Sequence, residues 1–348
     1  MCEMETDLAP ALDGSPTALR AAAEVALPPG VTVRALRQPD DYSAMNRIAN
    51  AARVAMGDSF TTTDAQMADY YDSADRFVPQ RDVIVIEFDG HPSGYARIGI
   101  ADDVGGLRVY EVVPILDPSA DVETLYPPVL RILERHARAV AATDRAPDKV
   151  LQVYNGDSDA ALERSGVGAG YAPVRHGYLM VRPHLDDLPD APLPDALEIR
   201  PVLPEDRRRI WDAANEAYQD MWGFTDPTEA EYERFLRDPV QSDASLWQVA
   251  WDGDEVAGQV RAYIDEEENA RFGRLRGYCE NISVRAPWRR RGLARALIGA
   301  SFPALRGRGM TEAALGVDTE NVSGALRLYE SCGFCPISSS TLFRKPLD

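Results

Sequence analysis

The stretch Ile282-Ser283-Val284-Arg285-Ala286-Pro287-Trp288-Arg289-Arg290-Arg291-Gly292-Leu293-Ala294-Arg295-Ala296-Leu297 decides how this chain folds. A strand ends at Val284, a short loop carries three arginines, and Leu293, Ala296, Leu297 and Ala300 fall on one face of a helix over 293–306. A helix start leaves its first N–H groups unpaired and carries partial positive charge. A glycine there lets a phosphate approach the backbone, and neighbouring arginines add charge. The segment therefore suits a pyrophosphate. A solvated basic loop that closes a strand is the competing reading of the same residues.

The residues around this stretch predict strands over 197–201, 246–251, 256–264, 277–284, 312–317 and 338–344. Helices are predicted over 205–217, 228–238 and 323–332, the second opened by Thr228 with Glu231 three residues on, a capping box. The result is an α/β (α+β) fold, a mixed, mostly antiparallel sheet flanked by helices.

The same order occurs earlier in the chain. Val33-Arg34 before Pro39 returns as Ile199-Arg200 before Pro204, and Asp89-Gly90, a hairpin signal, returns as Asp252-Gly253. Glu111 stands seven before Pro118 as Glu280 stands seven before Pro287; Asn155 with Gly170-Tyr171 matches Asn321 with Gly333-Phe334. The offset stays near one value across these landmarks, so the chain reads as a tandem duplication. The expected divisions are an acidic flexible leader over 1–30, a first copy over 31–182, a Pro/Asp-rich linker over 183–196 and a second copy over 197–348.

Composition excludes several classes. Basic residues number 37 against 56 acidic ones, a net charge of −19, which argues against non-specific binding to nucleic acid or anionic lipid. There is no apolar run long enough to span a bilayer, and the leader has the wrong charge for a signal peptide, so a cytoplasmic location and no membrane partner are expected. Four cysteines do not make a disulfide framework, and Cys332-Gly-Phe-Cys335 lacks a second ligand pair, so no metal is expected.

Arg289-x-x-Gly292-x-Ala294 resembles the acetyl-CoA signature of the GNAT (GCN5-related) N-acetyltransferases, in its allowed alanine form. Asn321, Ala325, Leu328-Tyr329-Glu330 and Gly333-Phe334 resemble the family's ending, with one extra residue after Asn321. The resemblance covers the second copy fully and the first in architecture. It implies acetyl-CoA as acetyl donor. The backbone of Arg290, Arg291, Gly292, Leu293, Ala294 and Arg295, with Arg289 before them, would cradle the pyrophosphate. Ile282 and Val284 would pair with the pantetheine amides like an added strand. Asn321 would touch the cofactor arm, and Tyr329 would protonate the departing thiolate.

An acceptor amine must also lose a proton. No histidine follows His184, and Glu280 shares a strand face with Val284, so Glu280 is the candidate base, with a structural strand carboxylate as its alternative. Trp222 and Phe224 would wall the acceptor pocket, with Asp220 and Asp226 nearby for a cation. In the first copy the basic loop is replaced by Asp117-Pro-Ser-Ala-Asp121-Val-Glu123, and Ser165 stands at the tyrosine position; that copy is expected to be degenerate. The expected function is transfer of an acetyl group to the primary amine of a small molecule by direct attack in a ternary complex. The alternatives are a mycothiol-synthase-like acetyltransferase, which the tandem arrangement also resembles, and a non-catalytic acetyl-CoA-binding sensor. The oligomeric state is left open.

Overall fold

The computed structural model describes residues 17–57, 61–186, 191–321 and 323–347. They form two units. The first runs to Val174 and takes up the chain again at Thr341; the second is Arg175–Ser340. Its first sixteen residues, most of the expected leader, and 187–190 of the expected linker lie outside the described residues.

In the first unit, α1 (Ala18–Ala23) leads to β1 (Val31–Ala35), α2 (Tyr42–Ala55), α3 (Asp64–Asp72), α4 (Pro79–Asp82), β2 (Val83–Phe88), β3 (His91–Asp102), β4 (Arg108–Leu116), α5 (Val122–Ala141), β5 (Lys149–Gly156) and α6 (Ala160–Gly168). Strands β1 to β4 are antiparallel neighbours, and β5 runs parallel to β4. The β2–β3 turn is Asp89-Gly90, both at positive φ, as a two-residue hairpin requires. Helix α5 buries Leu125, Val129 and Leu133 with Ile98 and Tyr110 of the sheet. Residues 18–23 correct the leader: Ala18 and Ala22 are buried in this same core. Small apolar residues four apart let a short helix seat closely, which outweighs the acidic composition around it.

The chain continues through β6 (Ala172–Arg182), β7 (Glu198–Ile199), α7 (Arg207–Tyr218), α8 (Glu229–Arg237), β8 (Gln248–Asp252), β9 (Glu255–Tyr263), α9 (Glu266–Phe272), β10 (Arg276–Val284), α10 (Leu293–Gly307), β11 (Glu312–Asp318), α11 (Ala325–Ser331) and β12 (Cys335–Pro346). The order across the second unit is β6-β11-β10-β9-β8-β7, antiparallel except for β10 beside β11. Helix α10 covers one face through Leu293, Leu297 and Phe302, packed with Val260, Ala262 and Cys279. Ile210 of α7 buries the other face with Trp247, Val249 and Trp251. The predicted capping box at Thr228 and Glu231 is present. Leu185 is buried in this unit, so the expected linker is not a wholly unpaired connector.

The boundaries at 182 and 348 need correction, because the last strands are exchanged. Gly177–Arg182 of β6 pair antiparallel with Ala313–Asp318, inside the second unit. Phe343 and Leu347 are buried in the first unit's core, where the Leu347 N–H donates to Lys149 O at 3.0 Å and Lys345 Nζ meets Glu134 at 3.0 Å. Neither last strand alternates cleanly, β6 carrying the apolar run Tyr178–Val181 and β12 the polar run Ser338–Thr341, so sequence offers no means of choosing a sheet. A fragment cut at Leu197 would therefore lose β6, the outer partner of β11. We expect Phe343→Ala to destabilise the first unit by about 3–5 kcal/mol, the usual cost of truncating a buried aromatic, measured by urea unfolding.

Candidate active site

The site begins with an irregularity in β10. Tyr278, Cys279 and Glu280 pair with Tyr263, Ala262 and Arg261 of β9, and then the register slips, so that Ser283 faces Gln259. Asn281 takes up the extra residue at φ 50°, in the left-handed region that asparagine tolerates better than most residues. On its other side β10 leaves β11 after only three rungs, Arg276 to Tyr278 against Glu312 to Ala314. Beyond them β11 continues to Asp318 on β6 alone, so a wedge opens between the two parallel strands.

The backbone of β10 is directed at that wedge. The Arg285 N–H returns to Ala257 O of β9 at 3.0 Å, whereas the carbonyl of Val284 accepts from Arg289 Nε at 3.0 Å and that of Ile282 from the Tyr218 hydroxyl at 3.3 Å. Ile282 and Val284 thus face away from β9, as pairing with an added extended ligand requires. Glu280 reaches across the wedge, where its Oε1 accepts from the Gly316 N–H at 3.1 Å. Burial pushes its carboxyl up to about 7, against the lowering effects of the Gly316 N–H and the Arg261 cation.

The loop after Val284 is braced by some of its cations and leaves others free. Arg285 binds Glu216 at 2.9 Å and Glu255 at 2.6 Å, and the Trp288 indole donates to Asp252 at 2.9 Å. Besides Val284 O, Arg289 donates to Asp220 Oδ2 at 2.9 Å and Ala217 O at 3.0 Å. Its side chain therefore clamps the end of α7 to the end of β10 and is not free for a phosphate; the expected role of the Arg289 guanidinium changes accordingly. Arg290, at φ 62°, and Arg291 are exposed and take no carboxylate among the described residues. Gly292 stands at the start of α10 with φ 82° and no side-chain cap, and an added Cβ would enter open space directly over the helix start. Ala296 is the first residue whose N–H is taken by the turn, to Gly292 O at 3.1 Å, so the N–H groups of Leu293, Ala294 and Arg295 are available. The Leu293 side chain is buried, and Arg295 ties α10 to Ser331. An open helix start with two free arginines and a wedge beside it fits a pyrophosphate with an extended tail.

Tyr329 of α11 is buried, and its hydroxyl makes no hydrogen bond to a described residue. Burial, aided by Tyr218, Glu280 and two cysteines, raises it far above the usual range, so it stays protonated at neutral pH. Asn321 Oδ1 accepts from the Ser323 N–H at 2.9 Å and shapes the turn into α11. Phe224 packs near Tyr218 at 6.4 Å, while Trp222 is half-exposed beneath the Arg175 guanidinium at 4.7 Å. Arg175 and His176 were unexpected here. The exchanged strand brings both into the second unit, where His176 Nδ1 lies 3.3 Å from Glu320. Sequence reasoning also missed Tyr218, whose hydroxyl donates to Ile282 O.

The first unit also parts its parallel strands, β4 and β5 pairing only from Arg108–Lys149 to Glu111–Gln152, but it lacks the slip and the open helix start. Strands β3 and β4 pair without a slip from Gly94–Leu116 to Asp102–Arg108. The start of α5 is already held by Asp121, whose Oδ1 accepts from the Thr124 N–H at 3.3 Å. A carboxylate occupies the place where a phosphate would bind.

The profile of the Acetyltransferase (GNAT) family matches residues 208–334. That match lies within the second unit. It is 28% identical over 258 residues to a mycothiol acetyltransferase of Thermobispora bispora, covering 74% of this chain and 85% of that one. A mycothiol acetyltransferase of Salinispora arenicola is 29% identical over 293 residues, covering 81% and 89%. Among solved structures, a GCN5-related N-acetyltransferase from Sphaerobacter thermophilus superposes with a TM-score of 0.67 at 24% identity, covering 92% of this chain and 97% of that one. A tandem GNAT protein from the clavulanic acid biosynthesis pathway does so at 0.61 and 14% identity, covering 91% and 99%. The family uses acetyl-CoA as donor, and the GNAT residues of this chain lie in the second unit. Among the described residues no helix is long and apolar enough to cross a membrane, and no three acidic, histidine or cysteine side chains group as a metal site.

Gly292→Glu places a carboxylate over the open N–H groups of α10. Calorimetry should give one acetyl-CoA per wild-type chain and a loss of affinity of roughly 10²-fold in this variant, from like-charge repulsion and competition for the helix N–H groups. Two equivalent sites per chain would contradict the assignment to the second unit.

Proposed function

We propose that the second unit transfers the acetyl group of acetyl-CoA directly to the primary amine of a small molecule, with both substrates bound together. What supports this reading is the Glu280 carboxyl, which meets the Gly316 N–H across the wedge at 3.1 Å and is pushed up to about 7 by burial. A thioester supplies the acyl group and needs no metal for attack by an amine. Helix α10 and Arg290 and Arg291 hold the phosphates, and Ile282 and Val284 align the tail. Glu280 takes the proton of the attacking ammonium, directly or through water, because a carboxyl near 7 is largely ionised at physiological pH yet basic enough to accept. The N–H of Val284, facing the wedge, is the donor for the developing oxyanion. Tyr329, protonated throughout the working range, donates to the leaving thiolate. A sensor that only binds acetyl-CoA needs neither of these two groups. The names of the relatives make the cysteinyl pseudodisaccharide of mycothiol synthases the first acceptor to assay, beside a panel of simple amines.

The pH profile follows from the sign of the Glu280 shift. Its basic form is lost as pH falls through about 7, so kcat/KM should decline tenfold per unit below that point and level off above it. In Glu280→Gln this limb should disappear, with a rate loss of roughly 10²–10⁴ and a residual rate that follows only the ionisation of the amine. Wild-type rates across pH in that variant would remove Glu280 from the mechanism. Tyr329→Phe keeps the ring, so acetyl-CoA affinity should hold within about twofold while kcat falls by roughly 10²–10⁴. An unchanged kcat would end the assignment of Tyr329 as the acid.

A further inference from the structure

Gly316 is an exposed glycine between two buried strand residues. Leu315 and Val317, its neighbours in β11, are packed against α10. Strand positions alternate, so a side chain at 316 would stand on the opposite face, with Ala314, Tyr278 and the Glu280 carboxylate. Glycine weakens a strand interior and is kept there where a bulge, a bend or a close approach requires it. Two other glycines of this sheet have such a reason. A Cβ on Gly277 would stand 2.4 Å from Leu305 Cδ2, and one on Gly258 would stand 2.8 Å from Ser283 O. The fold gives Gly316 no such reason. Its φ lies outside the left-handed region, it pairs in register with Leu179 of β6, and an added Cβ would meet nothing nearer than Glu280 Oε1 at 3.9 Å. The first unit supplies the internal comparison. Its parallel pair sets Gln152 of β5 opposite Glu111, and the β10–β11 register, continued from Tyr278 and Ala314, sets Gly316 opposite Glu280. Gln152 carries a full side chain there, whose Oε1 accepts from Arg344 Nε at 2.8 Å. The same strand position takes a side chain in the unit with a closed helix start and none in the unit with an open one.

We infer that the amine of the acceptor stands over the bare backbone of Gly316, beside Glu280, and that Gly316 is the position that sets how bulky an amine the second unit accepts. This rests on the acetyl-transfer reading given above and gives its acceptor a place. Helix α10 covers one face of the sheet at the wedge, so the amine approaches from the other, the face on which Gly316 is bare. Gly316 is exposed and Glu280 only partly buried beside it, so the approach needs no movement of the core. Glu280 Oε1 is engaged by the Gly316 N–H, and its Oε2 takes no hydrogen bond from a described residue, which leaves that oxygen to an ammonium. Leu179, the cross-strand partner of Gly316, gives the carbon next to the nitrogen an apolar neighbour. A methyl group at 316 would lie in van der Waals contact with the carboxylate, in the path of the amine.

The test sets stability against transfer in Gly316→Ala and Gly316→Val. Thiol release at saturating acetyl-CoA is followed with methylamine, propylamine, isopropylamine and the cysteinyl pseudodisaccharide, acetyl-CoA affinity by calorimetry, and stability by urea unfolding. In Gly316→Ala the urea midpoint should stay or rise, because alanine has less backbone freedom to lose on folding. Acetyl-CoA affinity should hold within about twofold while kcat/KM for the amines falls by roughly 10–10²-fold, the cost of misplacing a reacting group by about the width of a methyl. The loss should grow from methylamine through propylamine to the branched isopropylamine, and should be deeper for each in Gly316→Val. The pH limb assigned to Glu280 should stay in place, because alanine keeps the N–H that meets this carboxylate. A lower urea midpoint in Gly316→Ala would make the glycine structural and overturn the inference. So would unchanged transfer to every amine, an equal loss for all of them, or a parallel loss of acetyl-CoA affinity. Each of these results leaves acetyl transfer standing. A wild type that binds acetyl-CoA and acetylates none of the four amines would count against acetyl transfer itself and overturn the place of the amine with it.

Discussion

One irregular turn of backbone controls the rest of the site. Had β10 kept its register with β9 and stayed beside β11, the sheet would have closed and its edges would have satisfied each other. The slip between Glu280 and Ser283 turns the backbone of Ile282 and Val284 away from β9, where their carbonyls meet Tyr218 and Arg289 and their N–H groups face the wedge. It also decides where Glu280 sits. The carboxylate bridges the opening to Gly316 and is withdrawn from solvent by the same splay that admits the substrate. Burial raises the proton affinity of that group against the opposing Gly316 N–H and Arg261. In the first unit β4 and β5 also part after Glu111 and Gln152, but β3 and β4 pair without a slip and the helix start is closed by Asp121. The two halves share a sheet order and differ at the two places where chemistry needs an opening.

The cations of the second unit divide by the same logic. Arg285 and Arg289 spend their donors on backbone carbonyls and carboxylates, which fixes the loop between β10 and α10. Arg290 and Arg291 remain outward. A helix start is a weak anion site when its loop wanders, because ordering the loop costs conformational entropy at the moment of binding. Bracing by two arginines removes that cost in advance. On the far face of the sheet, Arg261 is buried among rings with no anion of its own, the reverse of the braced pair.

Much of this was legible in the sequence where local chemistry dictates the outcome. The Asp-Gly hairpins, the capping box at Thr228 and the strand–loop–helix around Gly292 each depend on neighbours a few residues apart, and they stand where expected. The exchanged last strands were not legible, because a strand's side-chain pattern names a face and not a partner, and neither strand even alternates cleanly. The bulge left one faint mark, Asn281, a residue at ease at positive φ, with no glycine or proline beside it. Helix α9 was overlooked although Asp265 caps it, glutamates fill its first turn and Gly273 ends it. Arg261 was passed over because arginine is read as a surface residue until its surroundings are known. Glu280 lies on a strand and Tyr329 on a helix as expected, but the slip puts Glu280 and Val284 on opposite faces of the sheet, and the Arg289 guanidinium serves the fold.

The central claim is that the bulge holds Glu280 in a setting that makes it a base at neutral pH, and titration of that one carboxyl tests it most directly. With glutamate labelled at the side-chain carboxyl carbon, the resonance absent from the spectrum of Glu280→Gln is followed by NMR as pH is varied. The account predicts a midpoint of about 7 in the free protein. A midpoint near that of an ordinary exposed glutamate, roughly 4.3, would contradict it.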